Sequence, residues 1–441
     1  MTRTGSGRSA LRGRTAIADV TAWEVLDSRG RPTVACRIVV AGGGTGIVRV
    51  PSGASAGIHE AVELRDGGER YQGNGVRTAV AGVNDLLGPA VVGGDARDLD
   101  AVDAILAAHH AAEPTRIGAN STLAVSLATL LAVADEDGLG VARSLSGVGP
   151  LELPVPMVNI ISGGAHAGGV IDLQDFLVVP HGATTFAEAI CWAQAVREQA
   201  TRIAKQRGHR DAVLVADEGG LGIALESNRA ALELVVAAIE AAGLTPGTQA
   251  SLAIDAAASQ FLTVDPEGQR PGSYHLTAEQ RTLSGSELID EYASWLSDYP
   301  IVSIEDALAE DDWEGWAELT SRLGTDTDLI GDDLFVTQAD RLVRGIQTRC
   351  GTAILIKVNQ NGLVSRTRDV VTIAKAAGFR TVVSARSGET EDVWVADLAV
   401  GWRAGQIKVG STHRSERTAK WNRLLELEAL EQTVLARPWD S

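Results

Sequence analysis

Six charged side chains each follow a short apolar run between residues 251 and 410. They are Asp255, Glu305, Asp332, Lys357, Arg386 and Lys408. A buried charge is costly unless it is paired, so charges that end successive apolar runs predict one shared polar site. Three carboxylates from separate strands suit a hard cation such as Mg²⁺. The pattern therefore predicts proton abstraction next to a metal-bound carboxylate.

The two lysines of this set, Lys357 and Lys408, give the site a candidate base. A neighbouring cation is expected to depress the pKa of each lysine, and a neutral lysine can accept a proton. The alternative interpretation is that each charge simply begins a surface loop, which is the usual explanation for a single charge after a strand. Six such charges in succession favour the shared site.

The runs that carry these charges are predicted to be strands of one sheet. From Glu305 to Lys408, successive run ends are 22 to 29 residues apart, close to the size of one strand-loop-helix unit. Continuous apolar strands separated by amphipathic helices indicate a parallel sheet covered by helices. Such units close most simply into a β/α barrel, in which the carboxyl ends of the strands meet at one mouth.

Two glycine-rich loops could approach the same mouth. The loop 51–57 contains small residues, including Ser55, which could contact an anion or a metal; a plain linker has the same composition. His166 lies between two glycine pairs that permit close approach of the backbone to a ligand. A lone loop histidine is, however, more often a surface residue.

Two further segments place acids near predicted strands. Gln174 and Asp175 stand beside the apolar residues of one strand. Residues 213–220 are another apolar run that ends in acids, and the glycine pair after Glu218 leaves room for a substrate.

The order of elements predicts an α/β protein with two domains. Strands between residues 18 and 50 and helices at 76–94, 99–112 and 120–137 predict an N-terminal α+β capping domain over 18–150. The β/α barrel is expected over 151–441, with long helices at 184–207 and after 411. Residues 1–17, rich in arginine but without an apolar core, are expected to be a disordered leader and not a secretory signal.

Composition excludes several classes of protein. The 441 residues include 39 basic and 57 acidic side chains, so the net charge of −18 argues against general binding of nucleic acid or anionic membranes. No apolar run is long enough to span a bilayer. Three widely spaced cysteines without a CxxC motif fit a reduced compartment. A cytoplasmic location is expected.

Several segments together resemble the enolase family over residues 18 to about 430. The most specific are DEGG at 217–220, SIED at 303–306, RSGETED at 386–392 and GQIKVGS at 405–411. Similar matches occur at 24–30, 51–55, 63–66, 331–337 and 355–360. The resemblance implies an enolase-type barrel with a capping domain, and a homodimer or a higher homo-oligomer. It also implies a role for each site residue that matches the family's motifs.

The resemblance implies that Asp255, Glu305 and Asp332 hold a tightly bound Mg²⁺, with Ser55 helping to bind a second Mg²⁺. Lys357 would remove the proton next to the carboxylate, and Glu218 would assist departure of the β-hydroxyl. A lysine base with an enediolate stabilised by Mg²⁺ is a known pattern of the enolase superfamily.

The remaining implied roles concern substrate contacts. Lys408 would hold the substrate carboxylate and stabilise the enediolate, and Arg386 with Ser387 would bind phosphate. His166 matches a loop histidine near the phosphate, while Gln174 and Asp175 fall at a substrate-binding segment.

The chain also departs from the family pattern around the substrate. Ala385 stands where the family has a histidine before Arg-Ser-Gly-Glu-Thr, and Asp175 stands where the family has a glutamate. Ser162 replaces an asparagine, Leu221-Gly222-Ile223 replaces aromatic-Ala-Pro, and Gly168 and Gly169 replace polar residues. The changes leave the predicted metal ligands and both lysines intact, and the vacancy at Ala385 predicts a wider pocket.

The expected function is a Mg²⁺-dependent lyase-type enzyme that forms an enolpyruvate product. We expect a specialised member similar to carboxyphosphonoenolpyruvate synthase, with a small phosphorylated or phosphonate carboxylic acid as substrate and a nucleotide-activated co-substrate. The alternative is phosphopyruvate hydratase, which converts 2-phosphoglycerate to phosphoenolpyruvate and water. A non-catalytic binding protein on the same fold is a third interpretation, which the intact acids and Lys357 disfavour.

Overall fold

The computed structural model describes residues 13–53, 57–263 and 272–439. Most of the expected leader lies outside these residues. The part that is described, from residue 13, contacts the capping domain: the Thr15 hydroxyl donates to Asp95 at 2.6 Å, and Ile17 begins the first strand. Among the described helices, none is long and apolar enough to cross a membrane.

The N-terminal part is a three-stranded antiparallel sheet covered by helices. Its strands are β1 (Ile17–Leu26), β2 (Pro32–Val40) and β3 (Thr45–Arg49), in that spatial order. The turn between β1 and β2 is stabilised because the Asp27 carboxylate accepts the N–H groups of Arg29 and Arg31, each at 2.8 Å. Such side-chain bonds to the following backbone are typical of aspartate in turns.

The helices agree closely with the apolar periodicity of the sequence. They are α1 (Arg77–Gly82), α2 (Gly88–Val91), α3 (Leu99–Ala112), α4 (Ala119–Glu136), α5 (Val141–Ser146), α6 (Phe186–Gln206), α7 (Asn228–Ala241), α8 (Gly285–Asp298), α9 (Trp313–Leu323), α10 (Ala339–Thr348), α11 (Val358–Asn361), α12 (Val364–Ala376), α13 (Trp394–Gly401) and α14 (Ser415–Leu430). A π-helical turn, Val83–Leu87, joins α1 to α2. Helix α4 is buried along most of its length and packs on β2 and β3.

The remaining strands form a closed barrel and small accessory sheets. They are β4 (Leu151–Leu153), β5 (Val155–Ser162), β6 (Asp175–Val179), β7 (Ser251–Asp255), β8 (Leu262–Thr263), β9 (Ser273–Leu276), β10 (Arg281–Leu283), β11 (Ile301–Glu305), β12 (Asp328–Gly331), β13 (Ala353–Ile356), β14 (Arg380–Ser384), β15 (Gly405–Lys408) and β16 (Thr433–Leu435). The barrel order is β5-β6-β7-β11-β12-β13-β14-β15, and β15 pairs with β5 to close it. The predicted α/β barrel fold is confirmed.

The expectation of a wholly parallel barrel is wrong for one strand. Among the described barrel strands, β6 alone runs antiparallel, against both β5 and β7. The connection from β5 to β6 contains a short 3₁₀ turn and loop instead of a crossover helix. A parallel return needs a long crossover, whereas a short connection suits an antiparallel neighbour.

The apolar run at 213–220 also differs from the barrel strands that it resembles in sequence. Its first residues end a 3₁₀ turn, Arg210–Val213, and Val213, Leu214 and Val215 are all exposed. The closed barrel does not include this segment, because β6 pairs directly with β7. The segment is instead a connection at the mouth of the barrel. Its acidic end still reaches the interior, where Glu218 is buried.

Strand register brings the charged strand ends to one level. Asp255 at the end of β7 pairs with Glu305 at the end of β11, and Lys408 at the end of β15 pairs with Ser384. Alternate strand residues point into the barrel and fill it below this level. They are Val155, Met157, Leu177, Val179, Ala253, Ile330, Ala353, Leu355 and Val382. This apolar layer closes the barrel, so its polar end can open only toward the cap.

Candidate active site

One lysine lies between two of the predicted metal ligands. The Nζ atom of Lys408 is 2.6 Å from Oδ2 of Asp255 and 2.7 Å from Oε2 of Glu305. All three side chains are buried. Burial would raise the pKa of Asp255, but the Lys408 ammonium outweighs it and holds that pKa below its ordinary value. The strand ends predicted from the sequence do meet at one point.

The third predicted ligand, Asp332, contacts the predicted base. Its Oδ2 atom forms an ion pair with Nζ of Lys357, and its Oδ1 atom accepts the amide of Gln360 at 2.8 Å. The backbone N–H groups of Asp332 and Asp333 donate to the carboxylate of Asp306 at 2.9 and 2.8 Å. Asp306 therefore fixes the loop that presents Asp332, a role that the sequence did not indicate.

The acids fit a divalent cation. Within the described residues, Oε1 of Glu305 is a buried oxygen with no hydrogen-bond partner. Burial, and then the neighbouring Asp255 carboxylate, raise the pKa of Glu305 well above its ordinary value. Three carboxylates here are paired with two ammonium groups, those of Lys357 and Lys408. Mg²⁺ would bind these hard oxygen donors, use the free lone pair of Glu305 and supply the missing positive charge.

A second tight group of carboxylates, formed by Asp306, Asp332 and Asp333, is less suited to a cation. Both oxygens of Asp306 already accept backbone N–H groups. Asp255, Glu305 and Asp332 are consequently the better candidate ligands. Ser55, the candidate ligand for a second cation, lies outside the described residues.

The expectation that a bound cation depresses the pKa of both lysines stays a prediction, because in the structure each lysine is paired directly with carboxylates. Burial does act to lower the pKa of Lys357, but Asp332 outweighs it and the pKa is raised. The pKa of Lys408 is raised well above its ordinary value in the same way, by Asp255 and Glu305. The reason is that each ammonium contacts the carboxylates that were expected to face a cation. A lysine there becomes a base only when another positive charge occupies those carboxylates.

The predicted phosphate-binding arginine is paired with an acid from the cap. Nη1 of Arg386 is 2.8 Å from Oε2 of Glu60, and Nη2 is 3.2 Å from Oε1. Nη1 also contacts Oδ1 of Asn359 at 3.2 Å. The Glu60 loop is held near the mouth by further contacts, including donation from Ile58 N–H to Glu310 at 3.0 Å. Glu60 was not among the predicted site residues, and the sequence offered only its position three residues after the loop 51–57.

The third side of the site is a histidine between two acids. Nδ1 of His166 is 2.8 Å from Oδ2 of Asp175, and Nε2 is 3.7 Å from Oε1 of Glu218. Glu218 also has Nη1 of Arg417 at 3.8 Å. Burial would raise the pKa of Glu218, but His166, Arg417 and Lys408 lower it to about 2. Arg417 comes from α14 and was not predicted as a site residue.

Most of the predicted residues surround one cavity at the barrel mouth. The predicted residues in its wall are His166, Gln174, Glu218, Asp255, Asp332, Lys357, Ala385, Arg386, Ser387 and Lys408. Gln174 donates to Asp255 at 3.0 Å, which holds its amide at the base of the cavity. Within the described part of the chain, Asp175 is fully buried and stands outside this wall.

Family comparisons agree with this architecture. Residues 17–145 match the family model described as enolase, N-terminal domain. Residues 150–435 match the family model described as enolase, C-terminal TIM barrel domain. The two matches follow each other along nearly the whole chain, in the order cap and then barrel.

Proposed function

The chain belongs to the enolase family, and we propose that it is a Mg²⁺-dependent enzyme that forms an enolpyruvate-type product through an enediolate. Its substrate in this proposal is a small carboxylic acid that carries a phosphate or phosphonate group. The observation that supports the proposal is the meeting of Lys357, Lys408, Asp255 and Asp332 in one cavity that Glu218 also lines, with Glu305 in contact with Lys408.

The residues of the site can divide the reaction among them. Lys357 would take the proton next to the substrate carboxylate, and Lys408 would contact that carboxylate. Arg386 and Ser387 would bind the phosphate, while Glu218 would assist departure of the β-hydroxyl. Bound Mg²⁺, held by Asp255, Glu305 and Asp332, would supply the fixed positive charge that makes a doubly negative enediolate accessible.

Within the family, we favour a specialised enzyme similar to carboxyphosphonoenolpyruvate synthase. Ala385 lines the cavity with a methyl group where the family pattern has an imidazole. Gly168 and Gly169 near the His166 loop have no other atoms within 4 Å of the place where a Cβ would stand. The shorter side chain at Ala385 supports a larger substrate, or a nucleotide-activated phosphonate as co-substrate, while the two glycines lie outside the cavity wall. A homo-oligomer and a cytoplasmic location belong to the same proposal.

Ordinary phosphopyruvate hydratase is the second candidate. The pairs Lys357–Asp332 and Lys408–Glu305 support it as much as the specialised function, because both functions begin with the same proton abstraction.

Dehydration of 2-phosphoglycerate, followed by the absorbance of phosphoenolpyruvate, distinguishes the two functions. A turnover within the common enzyme range of ~1–10³ per second would refute the specialised function. Slow turnover together with exchange of the α-proton in D₂O would support it. Calorimetry that detects no Mg²⁺ binding would refute both and would favour a non-catalytic binding protein.

A further inference from the structure

Both oxygens of the Asp175 carboxylate are in contact with other side chains, and the residue lies outside the cavity wall. Its Oδ1 atom accepts the Asn159 amide and the Ser162 hydroxyl, the latter at 2.9 Å, and its Oδ2 atom faces Nδ1 of His166 at 2.8 Å. The side chain has no exposed surface. Three donors directed at one carboxylate favour its ionised form, but burial outweighs them and raises the pKa of Asp175 above its ordinary value. Asp175 therefore lies behind His166, and His166 forms the cavity wall.

The two acids beside His166 contact different ring nitrogens. Asp175 faces Nδ1, whereas Glu218 lies 3.7 Å from Nε2. One ligand atom from each of the three side chains lies within 4.8 Å of the others, but the Asp175 carboxylate already accepts Asn159 and Ser162. The arrangement instead suits an imidazole that carries protons on both nitrogens. The gap at Nε2 leaves both Nε2 and Glu218 able to reach one small polar group of a ligand.

The surrounding charges favour the imidazolium form. Burial would lower the pKa of His166, but Asp175, Glu218 and the more distant Asp255 raise it to about 9. The cations Arg417, Lys408 and Lys357 also act on Glu218, and Nη1 of Arg417 approaches the same Oε1 atom that His166 faces. At neutral pH the ring therefore holds the proton that it could donate from Nε2.

We infer that Asp175 is a positioning residue that orients His166 as a cavity-facing acid, and that His166 protonates the leaving group beside Glu218. The inference rests on the proposed function. It concerns two positions at which the chain departs from the family pattern: Asp175, which contacts His166, and Ala385, which lines the same cavity as His166 and Glu218. Ser162, which stands where the family has an asparagine, donates a hydrogen bond to the Asp175 carboxylate and helps to hold it behind His166.

The step balances without an oxidant or a reductant. After Lys357 has removed the α-proton, the bond between the β-carbon and its hydroxyl oxygen breaks, and the oxygen keeps the electron pair. That oxygen takes the Nε2 proton of His166 and leaves as water, with Glu218 accepting a hydrogen bond from it. The carbanion electron pair becomes the new carbon–carbon double bond. Neutral His166 then regains its proton from solvent.

The test combines NMR of the full-length protein with kinetics on 2-phosphoglycerate. Histidine labelled with ¹⁵N gives the tautomer and the pKa of His166, whose signals are assigned by loss in H166Q. D175N keeps the shape but removes the charge, and D175E restores the charge. D172N is a matched control on the same segment, because the Asp172 carboxylate accepts the N–H of Ala278 at 3.1 Å.

D175N is expected to lower the pKa of His166 by at least about one unit, as loss of an adjacent opposite charge does. Its elimination rate is expected to fall by roughly 10²-fold or more, as for loss of a general acid. Exchange of the α-proton should persist, because Lys357 is untouched. D175E should recover the raised pKa of His166, and D172N should match the natural protein in every measurement.

An unchanged His166 pKa in D175N, or an unchanged elimination rate, would overturn the inference. If D175N does not fold, the tautomer of His166 in the natural protein decides instead: a ring without a proton on Nδ1 would overturn it. Failure of the proposed function is separate, because it shows as missing α-proton exchange in the natural protein, whereas the His166 measurements need no turnover.

Discussion

The ion pair between Glu60 and Arg386 predicts that a loop acid competes with the substrate phosphate. The pair is bidentate, at 2.8 and 3.2 Å, and both side chains are less than one tenth exposed. A phosphate that binds Arg386 must displace this carboxylate. Since a hydrogen bond to a charged group contributes about 1.5–3 kcal/mol, E60Q is expected to tighten phosphate binding by roughly 10- to 100-fold.

The same variant is expected to be less stable without a ligand. Glutamine retains an acceptor oxygen for Arg386 but loses the charge, so the free energy of unfolding should fall by about 1–3 kcal/mol. Calorimetric titration with inorganic phosphate measures the affinity, and thermal unfolding with and without phosphate measures the stabilisation. The phosphate-induced increase in Tm should be larger for E60Q than for the natural protein.

E63Q is the matched control for this experiment. Glu63 belongs to the same connection, but it pairs with Arg65 at 2.7 Å and has 23% of its side chain exposed. Its loss should change phosphate affinity much less than E60Q does, because Glu63 acts on Arg386 through charge alone and Glu60 is bonded to it. Equal or weaker phosphate binding by E60Q would refute the reasoning, because it would show that Glu60 and the anion do not compete for Arg386.

Three further predictions test the remaining parts of the site. K357A should abolish exchange of the α-proton of 2-phosphoglycerate in D₂O, measured by NMR, and undiminished exchange would exclude Lys357 as the base. A385H should increase 2-phosphoglycerate dehydration if the space at Ala385 reflects loss of that reaction; an unchanged rate would remove the argument for a specialised pocket. Mg²⁺ at ~100 times its Kd should stabilise the protein by about 2.7 kcal/mol, and E305Q should lose most of this Tm increase, while equal increases would exclude Glu305 as a ligand.

The strand ends could be predicted because the signal is local. An apolar run such as Ile301–Glu305 contains both the burial pattern of a strand and the charge that ends it. The direction of β6 could not be predicted, since Asp175–Val179 is fully buried in either orientation. The run that begins with Val213 and Leu214 resembles a buried strand in sequence, yet both residues are exposed. An apolar run of this length does not itself specify what covers it.

The contacts that govern the site were not visible in the sequence, because they join distant segments. Glu60 reaches Arg386 across 326 positions, and Arg417 approaches Glu218 from the last helix. Neither pair follows a local spacing rule. The limits of the domains and the roles of individual site residues remain predictions.

The sequence by itself determined the family, the barrel and the set of charges at its mouth, since each depends on residue types within a few positions of one another. Only the tertiary structure decided which charge meets which. In that structure Lys408 lies between Asp255 and Glu305, and Asp175 lies behind His166. The physical reason is that strand register and the packing of segments far apart in the chain set these distances together.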